Sequence, residues 1–237
     1  MSGPELARRV PTVPDHVDLD ELEAEQRELA RKVRIEDDLD DPETVAGFDV
    51  GYQGPRGFGA LVVARLDDGT ILETLETVTE VPMPYIPGLL AFRELPVLRE
   101  LWPETTEDPD VLIVDGGGLI HPRRLGSASH AGVELDVPAI GVTKNLLLGE
   151  VHGSLADQGD VAEIVDDGER LGYAYRSCTR PNAKHPVYVS PGHRITAETS
   201  LEIVRGLCSG RSKLPDPVQA AHRAAARLKR YHDQVDR

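Results

Sequence analysis

The chain has 237 residues, enough for one large α/β domain but few for two. It contains no apolar run near the ~18 residues that a membrane-spanning helix needs, and its first residues lack the apolar core of a signal peptide, so we expect no membrane partner. The formal net charge of −15 argues against a polyanionic partner for any protein whose charge is spread evenly, so the distribution of charge along the chain has to be considered.

The N-terminal part of the chain has the pattern of an acidic surface helix followed by a linker. Residues 18–34 have a helical pattern, and Asp18 and Glu21 at its start have the spacing of a capping box. The acidic run 36–43 contains Pro42 and predicts a linker. We therefore divide the chain into residues 1–43, an acidic N-terminal helix and linker, and residues 44–237, a single domain.

Strand patterns dominate the start of this domain. Three of them cover residues 44–52, 57–66 and 71–81, and Asp67-Asp68-Gly69-Thr70 predicts a hairpin turn between the second and the third. A proline-rich loop at 82–88 and a helix at 89–102 come next. Because Pro96 cannot donate to a helix ladder, we expect a break or kink at Glu94–Leu95.

Helices and strands alternate in the rest of the chain. The pattern predicts strands at 111–115, 138–144, 171–177 and 187–190, and helices at 124–135, 196–208 and 216–232. Three strands in hairpin order followed by this alternation predict an α/β fold, in which a mixed sheet has helices on both faces within a single domain. The ribonuclease H-like fold has this order of elements.

The segment Val111–His130, VLIVDGGGLIHPRRLGSASH, carries the strongest chemical signal. Four aliphatic residues, typical of a strand buried on both faces, lead to Asp115 and then to Gly116, Gly117 and Gly118. A carboxylate at the end of a buried strand needs a metal, a partner or solvent. The glycines would let a ligand or another chain approach the backbone. The pattern indicates a site for a metal and a phosphate.

Asp49 and Glu94 are candidates for two further ligands of that metal. Taken alone, Asp49 in the first strand is more typical of a turn or sheet edge, and Glu94 of a solvated helix face. Asp115 changes the interpretation of Asp49, because acids on adjacent central strands could share a divalent cation such as Mg²⁺, which prefers a few carboxylates together with water and substrate phosphate. Phosphodiester cleavage uses such a cation to activate water and to stabilise charge on the leaving oxygen.

Several longer motifs follow one another in an unbroken order. They are Pro84-Tyr85-Ile86-Pro87-Gly88, Phe92-Arg93-Glu94-Leu95-Pro96, Asp115-Gly-Gly-Gly with His121-Pro-Arg-Arg-Leu-Gly, Gly126-x-Ala128-Ser129-His130, Val137-Pro138-x-Ile140-Gly141-Val142-x-Lys144 and Ser190-Pro191-Gly192-His193-Arg194-Ile195. From Val45 to Ile203 the chain resembles the endonuclease V family, DNA-repair and RNA-processing nucleases that act at inosine. Gly117 departs from the family, which often has a larger residue there, and because recognition there would use the backbone we expect an altered fit of the pocket without loss of activity.

The resemblance implies roles for the acids and their neighbours. Asp49, Glu94 and Asp115 would bind the catalytic Mg²⁺, for which Mn²⁺ could substitute. Lys144 would act near the scissile phosphate, where its ammonium could offset transition-state charge or orient the water. His193 would belong to the active site and bind metal weakly or touch phosphate, although a histidine at that position could also have no chemical role.

The resemblance also implies a substrate-binding surface. One loop would wedge into the nucleic-acid helix and hold the lesion base; it consists of Pro84, Tyr85, Ile86, Pro87 and Gly88. Tyr85 is a stiff aromatic residue suited to stacking. The alternative for Tyr85 is a core position. The backbone of Gly88, Gly116, Gly117 and Gly118 would contact the flipped base and read hypoxanthine. His121 would contact phosphate or the base pocket, and Arg123 and Arg124 would hold the nucleic-acid backbone.

The charge distribution is compatible with nucleic acid as the partner. Residues 15–43 carry thirteen acidic and four basic residues, whereas residues 170–194 carry five Lys or Arg and no acid. A basic helix at 219–230 predicts either a solvated face or a DNA contact. Only five of the twenty-six basic residues are Lys, which together with many acids is typical of a halophile. At ~1 M salt the Debye length is only ~3 Å, so an acidic surface would repel phosphates weakly.

The resemblance implies a metal-dependent endonuclease that cuts the second phosphodiester 3′ to deoxyinosine in DNA. Three alternatives remain: cleavage of inosine-containing RNA, a ribonuclease H-like nuclease without lesion specificity, and an inosine-binding module without catalysis. The three carboxylates argue against the last. We expect the protein to be a monomer. We also expect it to be in the cytoplasm, since Cys178 and Cys208 lack CxxC spacing and indicate a reducing compartment and no zinc site.

Overall fold

A nine-stranded mixed sheet runs through the computed structural model, which describes residues 17–81, 83–178 and 185–235. The strands are β1 (Thr44–Gln53), β2 (Arg56–Arg65), β3 (Ile71–Glu80), β4 (Val111–Val114), β5 (Ala139–Thr143), β6 (Glu150–His152), β7 (Val161–Asp166), β8 (Glu169–Tyr175) and β9 (Val187–His193). Their order across the sheet is β3-β2-β1-β4-β5-β9-β8-β7-β6. β1, β4 and β5 are parallel, and the other neighbours pair antiparallel.

Helices cover both faces of this sheet. They are α1 (Leu19–Ala30), α2 (Ala91–Leu101), α3 (Ser127–Leu135), α4 (Ala197–Gly206) and α5 (Asp216–Val235), with a short 3-10 turn at Trp102–Glu104. α2 and α3 pack on the face that carries Phe48 of β1, and α4 and the start of α5 pack on the face that carries Val45. The predicted ribonuclease H-like sheet with helices on both faces is therefore confirmed. No helix among the described residues is long and apolar enough to cross a membrane.

Two helices differ from the sequence-based expectation. Asp18 caps α1 as expected, and its carboxylate accepts hydrogen bonds from the backbone N–H groups of Asp20 and Glu21, but the helix ends at Ala30. Residues 1–16 of the predicted N-terminal part lie outside the described residues. α2 continues without a break through Pro96, where the sequence predicted a break or kink. The proline removes one N–H from the helix ladder, and the packing of residues 95, 98 and 101 into the core holds the helix in place.

The pattern missed β6 and β7 at the far edge of the sheet. β6 has three residues and no buried one, so it offers no apolar signal. β7 and β8 form a hairpin across Asp167 and Gly168, whose φ angles are 49° and 80°. Asp-Gly with two positive φ angles is a preferred two-residue hairpin turn. That dipeptide was a readable signal for β7.

The packing of α5 against β1 depends on Gly47. A Cβ atom at this position would lie 2.5 Å from the backbone carbon of Pro217 and 2.5 Å from the backbone nitrogen of Val218. Farther along the helix, Ala221, Ala224 and Ala225 pack on β2, and their small side chains keep the helix close to the sheet. Their partners on β2 are Ala60 and Val62. The sequence of β1 thus lets a helix lie directly on the strand that carries Asp49.

We predict that Gly47→Ala lowers the free energy of unfolding by ~1–3 kcal/mol, because the added methyl group overlaps the α5 backbone. Gly51→Ala is the matched control, since Gly51 lies on the same face of β1 and its Cβ would approach no atom closer than 3.9 Å. Urea denaturation of both variants measures the difference. Equal destabilisation by the two substitutions would contradict this account of the α5 contact.

Candidate metal centre and adjoining cavity

Asp49 and Asp115 lie side by side where two parallel strands run level. Phe48 of β1 is in register with Val114 of β4, and the backbone N–H of Asp115 donates to the Phe48 carbonyl at 3.2 Å. The next residue on each strand is therefore an acid. This brings together two of the three predicted metal ligands, and it follows from the parallel pairing of β1 with β4.

His222 completes this group from α5. Its Nδ1 lies 2.6 Å from Oδ2 of Asp49, and one ligand atom each from Asp49, Asp115 and His222 lie within 4.8 Å of one another. Two carboxylates and an imidazole form a donor set that suits a divalent metal ion. The sequence analysis missed His222, because an exposed histidine in a helix has no local signal until the packing of α5 on β1 brings it to the acids.

Glu94 lies near this group, in a buried position. Among the described residues, the cluster of possible metal ligands contains Asp49, Asp115 and His222. Glu94 is only 6 % exposed, and its Oε2 has no hydrogen-bond partner. Burial raises the pKa of Glu94 to about 8, and the charges of Asp49 and Asp115 act in the same direction, while a hydrogen bond with Ser127 opposes the rise. An orphaned carboxylate oxygen near two acids fits a cation in the same place.

Lys144 follows β5 and contacts the cluster. Its Nζ lies 2.6 Å from Oδ2 of Asp115. Burial raises the pKa of Asp115, and the Lys144 charge opposes that rise. The lysine therefore favours the anionic form of the carboxylate against the effect of burial. Its side chain is partly exposed, so the ammonium also faces the solvent side of the centre.

The structure does not bring His193 to this centre. His193 pairs with Ala139, at the beginning of β5, whereas Lys144 follows the other end of the same strand. The imidazole is buried, and its Nδ1 accepts a hydrogen bond from the backbone N–H of Arg34 at 3.3 Å. Burial lowers the pKa of His193. The predicted active-site role is thereby corrected: His193 holds the chain at Arg34, and the histidine near the acids is His222.

A small cavity of about 80 Å³ is lined by Gly117, which follows Asp115 by two residues, and by Ser127, which hydrogen-bonds to Glu94. Its lining consists of Gln26, Tyr85, Gly88, Leu90, Ala91, Gly117, Ile120, His121, Leu125, Gly126, Ser127 and Leu147. Tyr85 and Leu147 stand at its mouth and are 54 % and 53 % exposed. The exposure of Tyr85 rules out the core position and leaves an aromatic ring free to stack.

The glycines after Asp115 have separate roles in the structure. A Cβ at Gly116 would lie 2.9 Å from Cβ of Ser127, and one at Gly118 would overlap the carbonyl of Pro191, so both are buried packing positions. The Gly118 N–H donates to Oγ of Ser190 at 2.8 Å. Of the four glycines predicted to contact the base, Gly88 and Gly117 line the cavity, and Gly116 and Gly118 do not.

His121 is buried, and Arg123 and Arg124 are partly exposed and engaged by groups of the protein itself. The Arg124 guanidinium pairs with Asp166 and Glu169 at 2.8 and 2.9 Å. Arg123 and His121 both hydrogen-bond to the carbonyl of Gly88. The two arginines were expected to hold a nucleic-acid backbone, and the structure instead engages them with the protein's own acids and carbonyls. The remaining predicted positions, Pro84, Ile86 and Pro87, lie in the loop around Tyr85, which has no regular secondary structure.

Known proteins resemble this chain over most of its length. A family model described as Endonuclease V matches residues 27–223. The chain is 41 % identical to Endonuclease V of Geotalea uraniireducens over 93 % of this chain and 94 % of that protein. The Endonuclease V structure from Streptomyces avermitilis superposes with a TM-score of 0.83 at 30 % identity, covering 92 % of this chain and 95 % of the other.

A third similar protein has been solved with nucleic acid. A variant of Endonuclease V of Ciona intestinalis, bound to a 23mer DNA containing an inosine followed by a ribo-adenosine, has a TM-score of 0.77. It is 26 % identical to this chain, and the match covers 90 % of this chain and 97 % of the Ciona chain. The similarity therefore extends over nearly the whole of both chains.

We predict that His222→Ala weakens the binding of Mn²⁺ at least ~10-fold, because it removes one of three converging ligands. His193→Asn is the matched control, since the amide oxygen can still accept the hydrogen bond from Arg34 and this position is remote from the acids. Titration calorimetry with Mn²⁺ measures both affinities. Weaker binding in His193→Asn than in His222→Ala would overturn the assignment of the centre.

The raised pKa of Glu94 predicts how stability depends on pH. Its folded value of about 8 lies above the ordinary 4.5, so its contribution to stability is present below the ordinary value and is lost as the pH rises through about 8. In a chelator, the stability of the parent should fall more steeply than that of Glu94→Gln between about pH 5 and about pH 9. Thermal unfolding at matched pH measures this difference. Parallel curves would contradict the buried, protonated state of Glu94.

Proposed function

This chain belongs to the endonuclease V family, and from that premise we propose that it recognises deoxyinosine in DNA and acts in DNA repair. It is an endonuclease, and in this proposal it hydrolyses the second phosphodiester bond 3′ to the lesion and leaves a 3′-hydroxyl and a 5′-phosphate. The observation that carries the proposal is the cluster of Asp49, Asp115 and His222 beside the cavity that Tyr85 and Gly117 line. The inosine in the DNA bound by the Ciona relative supports the choice of base.

Asp49, Asp115 and His222 would hold the metal, and Glu94 would compensate its charge from a buried position nearby. The carboxylate-rich donor set favours Mg²⁺, with Mn²⁺ as a substitute. When bound, the ion would activate water and stabilise charge on the leaving oxygen. Glu94 must release its proton to become an anion near the cation, so metal binding should strengthen as the pH approaches the pKa of about 8.

Lys144 would act on the phosphate side of the centre. Its ammonium group contacts Asp115 and faces solvent, so it can pair with a phosphate oxygen without leaving the cluster. A cation in that place stabilises the negative charge that develops as the phosphodiester is attacked. The role of Lys144 is therefore to stabilise charge, while the two aspartates and His222 hold the metal.

The cavity would receive the hypoxanthine base after the base has flipped out of the nucleic-acid duplex. Tyr85 stands exposed at the mouth, where it could stack in the gap that a flipped base leaves. Gly117 is the glycine of its motif that faces the cavity, and among the described residues nothing accepts a hydrogen bond from its N–H. That N–H would be a backbone donor for the O6 atom of hypoxanthine.

Inosine in single-stranded RNA is a second candidate substrate. The nucleic acid bound by the Ciona relative carries a ribose directly after the inosine, which supports a site that tolerates a 2′-hydroxyl there. Within the described part of the chain, neither the metal cluster nor the cavity contains a feature that would require deoxyribose. Parallel assays on DNA and RNA would rank the two substrates.

We also propose that the protein acts as a monomer in the cytoplasm of a salt-adapted organism. Cys178 and Cys208 are free thiols, in keeping with a reducing compartment. The net charge of −15 and the scarcity of Lys support adaptation to high salt, in which acidic surfaces repel DNA over a shorter range. Activity that persists at molar KCl and sedimentation as a single chain would support these two points.

We predict that the purified protein nicks an inosine-containing duplex only when Mg²⁺ or Mn²⁺ is present. Asp115→Asn should reduce the rate at least ~100-fold, because it removes a charge that holds the ion. Glu28→Gln, an exposed position on α1, serves as the control and should cut like the parent. Metal-independent nicking would refute the mechanism, and equal cutting of inosine-free duplex would favour a nuclease without lesion specificity.

A further inference from the structure

The carbonyl oxygen of Gly88 accepts hydrogen bonds from three side chains. Nε2 of Gln26 lies 3.0 Å from it, a guanidinium nitrogen of Arg123 2.9 Å, and Nε2 of His121 3.0 Å. A backbone carbonyl has two lone pairs, so three donors leave it fully engaged. Gly88 has a φ of +81°, and it ends the loop that carries Tyr85. The Gly88 carbonyl therefore anchors the end of this loop next to Tyr85.

Gln26 uses both ends of its amide in this arrangement. Its Nε2 donates to Gly88, and its Oε1 accepts a hydrogen bond from Nε of Arg123 at 2.6 Å. A guanidinium can only donate and a carbonyl can only accept, so the amide has one possible orientation. Gln26 is 1 % exposed, whereas every other residue of helix α1 is partly or fully exposed to solvent. Its burial is explained by these contacts.

The other two donors are fixed by the same network. Nδ1 of His121 accepts the backbone N–H of Arg123 at 3.2 Å, so the ring proton is on Nε2, which points at Gly88. Burial lowers the pKa of His121 to about 4, which keeps the ring neutral. Arg123 also pairs with Glu23 of α1 at 3.1 Å. Helix α1 thus contributes one direct donor and holds a second.

We propose that Gln26 is a positioning residue for lesion recognition: it fixes the Gly88 carbonyl and thereby holds Tyr85 at the mouth of the base cavity. Gln26, Gly88 and Tyr85 line that cavity together. The loop from Met83 to Gly88 has no helix or strand of its own, so side chains from outside it set its position. Helix α1, which belongs to the acidic N-terminal part (residues 1–43), would then contribute to substrate discrimination. This inference rests on the proposed function at inosine.

Gln26→Glu is the sharpest test, because it keeps the size of the side chain and the acceptor for Arg123. It replaces the donor to Gly88 with a second carboxylate oxygen, which repels the carbonyl. We expect KM for an inosine-containing duplex to rise ~10-fold. At saturating substrate, kcat and the Mg²⁺ concentration for half-maximal rate should remain at parent values, because the metal centre is untouched. The ratio of cleavage at inosine to cleavage of undamaged duplex should fall.

Gln26→Met and Glu28→Gln complete the design. Gln26→Met is similar in size and loses both contacts, so its KM should rise at least as much as that of Gln26→Glu. Glu28→Gln changes an exposed residue of the same helix, whose ion pair is with Arg31, and should leave all values unchanged. Thermal unfolding of each variant reports whether α1 still packs on the protein.

The possible outcomes separate the two levels of the proposal. If the parent does not cut inosine-containing duplex, the proposed function fails and this inference fails with it. If the parent cuts and Gln26→Glu has the parent's KM and the parent's preference for inosine, the positioning role of Gln26 is refuted while the function stands. A loss of kcat on every substrate in parallel with a lower Tm would also refute it, because Gln26 would then serve only stability.

Discussion

The close contact between α5 and β1 is the constraint on which the candidate centre depends. Because Gly47 has no side chain, the backbone of α5 lies against the strand, and His222 on that helix comes within 2.6 Å of Asp49. The parallel pairing of β1 with β4 brings in Asp115 independently. A sheet pairing and a helix contact thus each supply part of the donor set, so the centre forms only when the whole fold has formed.

The centre concentrates negative charge in a buried place. Burial raises the pKa of both Glu94 and Asp115, and Lys144 is the cation that contacts the second of them. Buried carboxylates without a full set of partners oppose folding unless they are protonated or neutralised. A bound divalent ion would remove this cost, so metal binding and stability are expected to be coupled. The same arrangement makes the site responsive to pH near neutrality.

The sequence predicted much of the fold and part of the site. The strand pattern, the order of elements and the apolar run before Asp115 predicted the mixed sheet, and Asp49, Asp115 and Lys144 lie together in it. The prediction that His193 lies in the active site was wrong, because a sequence motif does not show which end of the neighbouring strand a residue pairs with. Arg123 and Arg124 were predicted from the sequence to bind phosphate. In the structure they form ion pairs with acidic side chains from distant segments of the chain. Such pairings depend on tertiary contacts that a local pattern does not contain.

What the sequence by itself determined was most of the elements and the family, because hydrophobic periodicity and long motifs are local properties of the chain. The tertiary structure alone decided which residues share the centre. His222 is more than one hundred residues away from Asp115 in the chain, and only helix packing brings it near. Gln26 likewise has no local signal, and only the fold shows that a glutamine of an acidic helix holds the Gly88 carbonyl. Contacts between distant segments depend on the packing of the whole chain, and for that reason the structure was needed to find them.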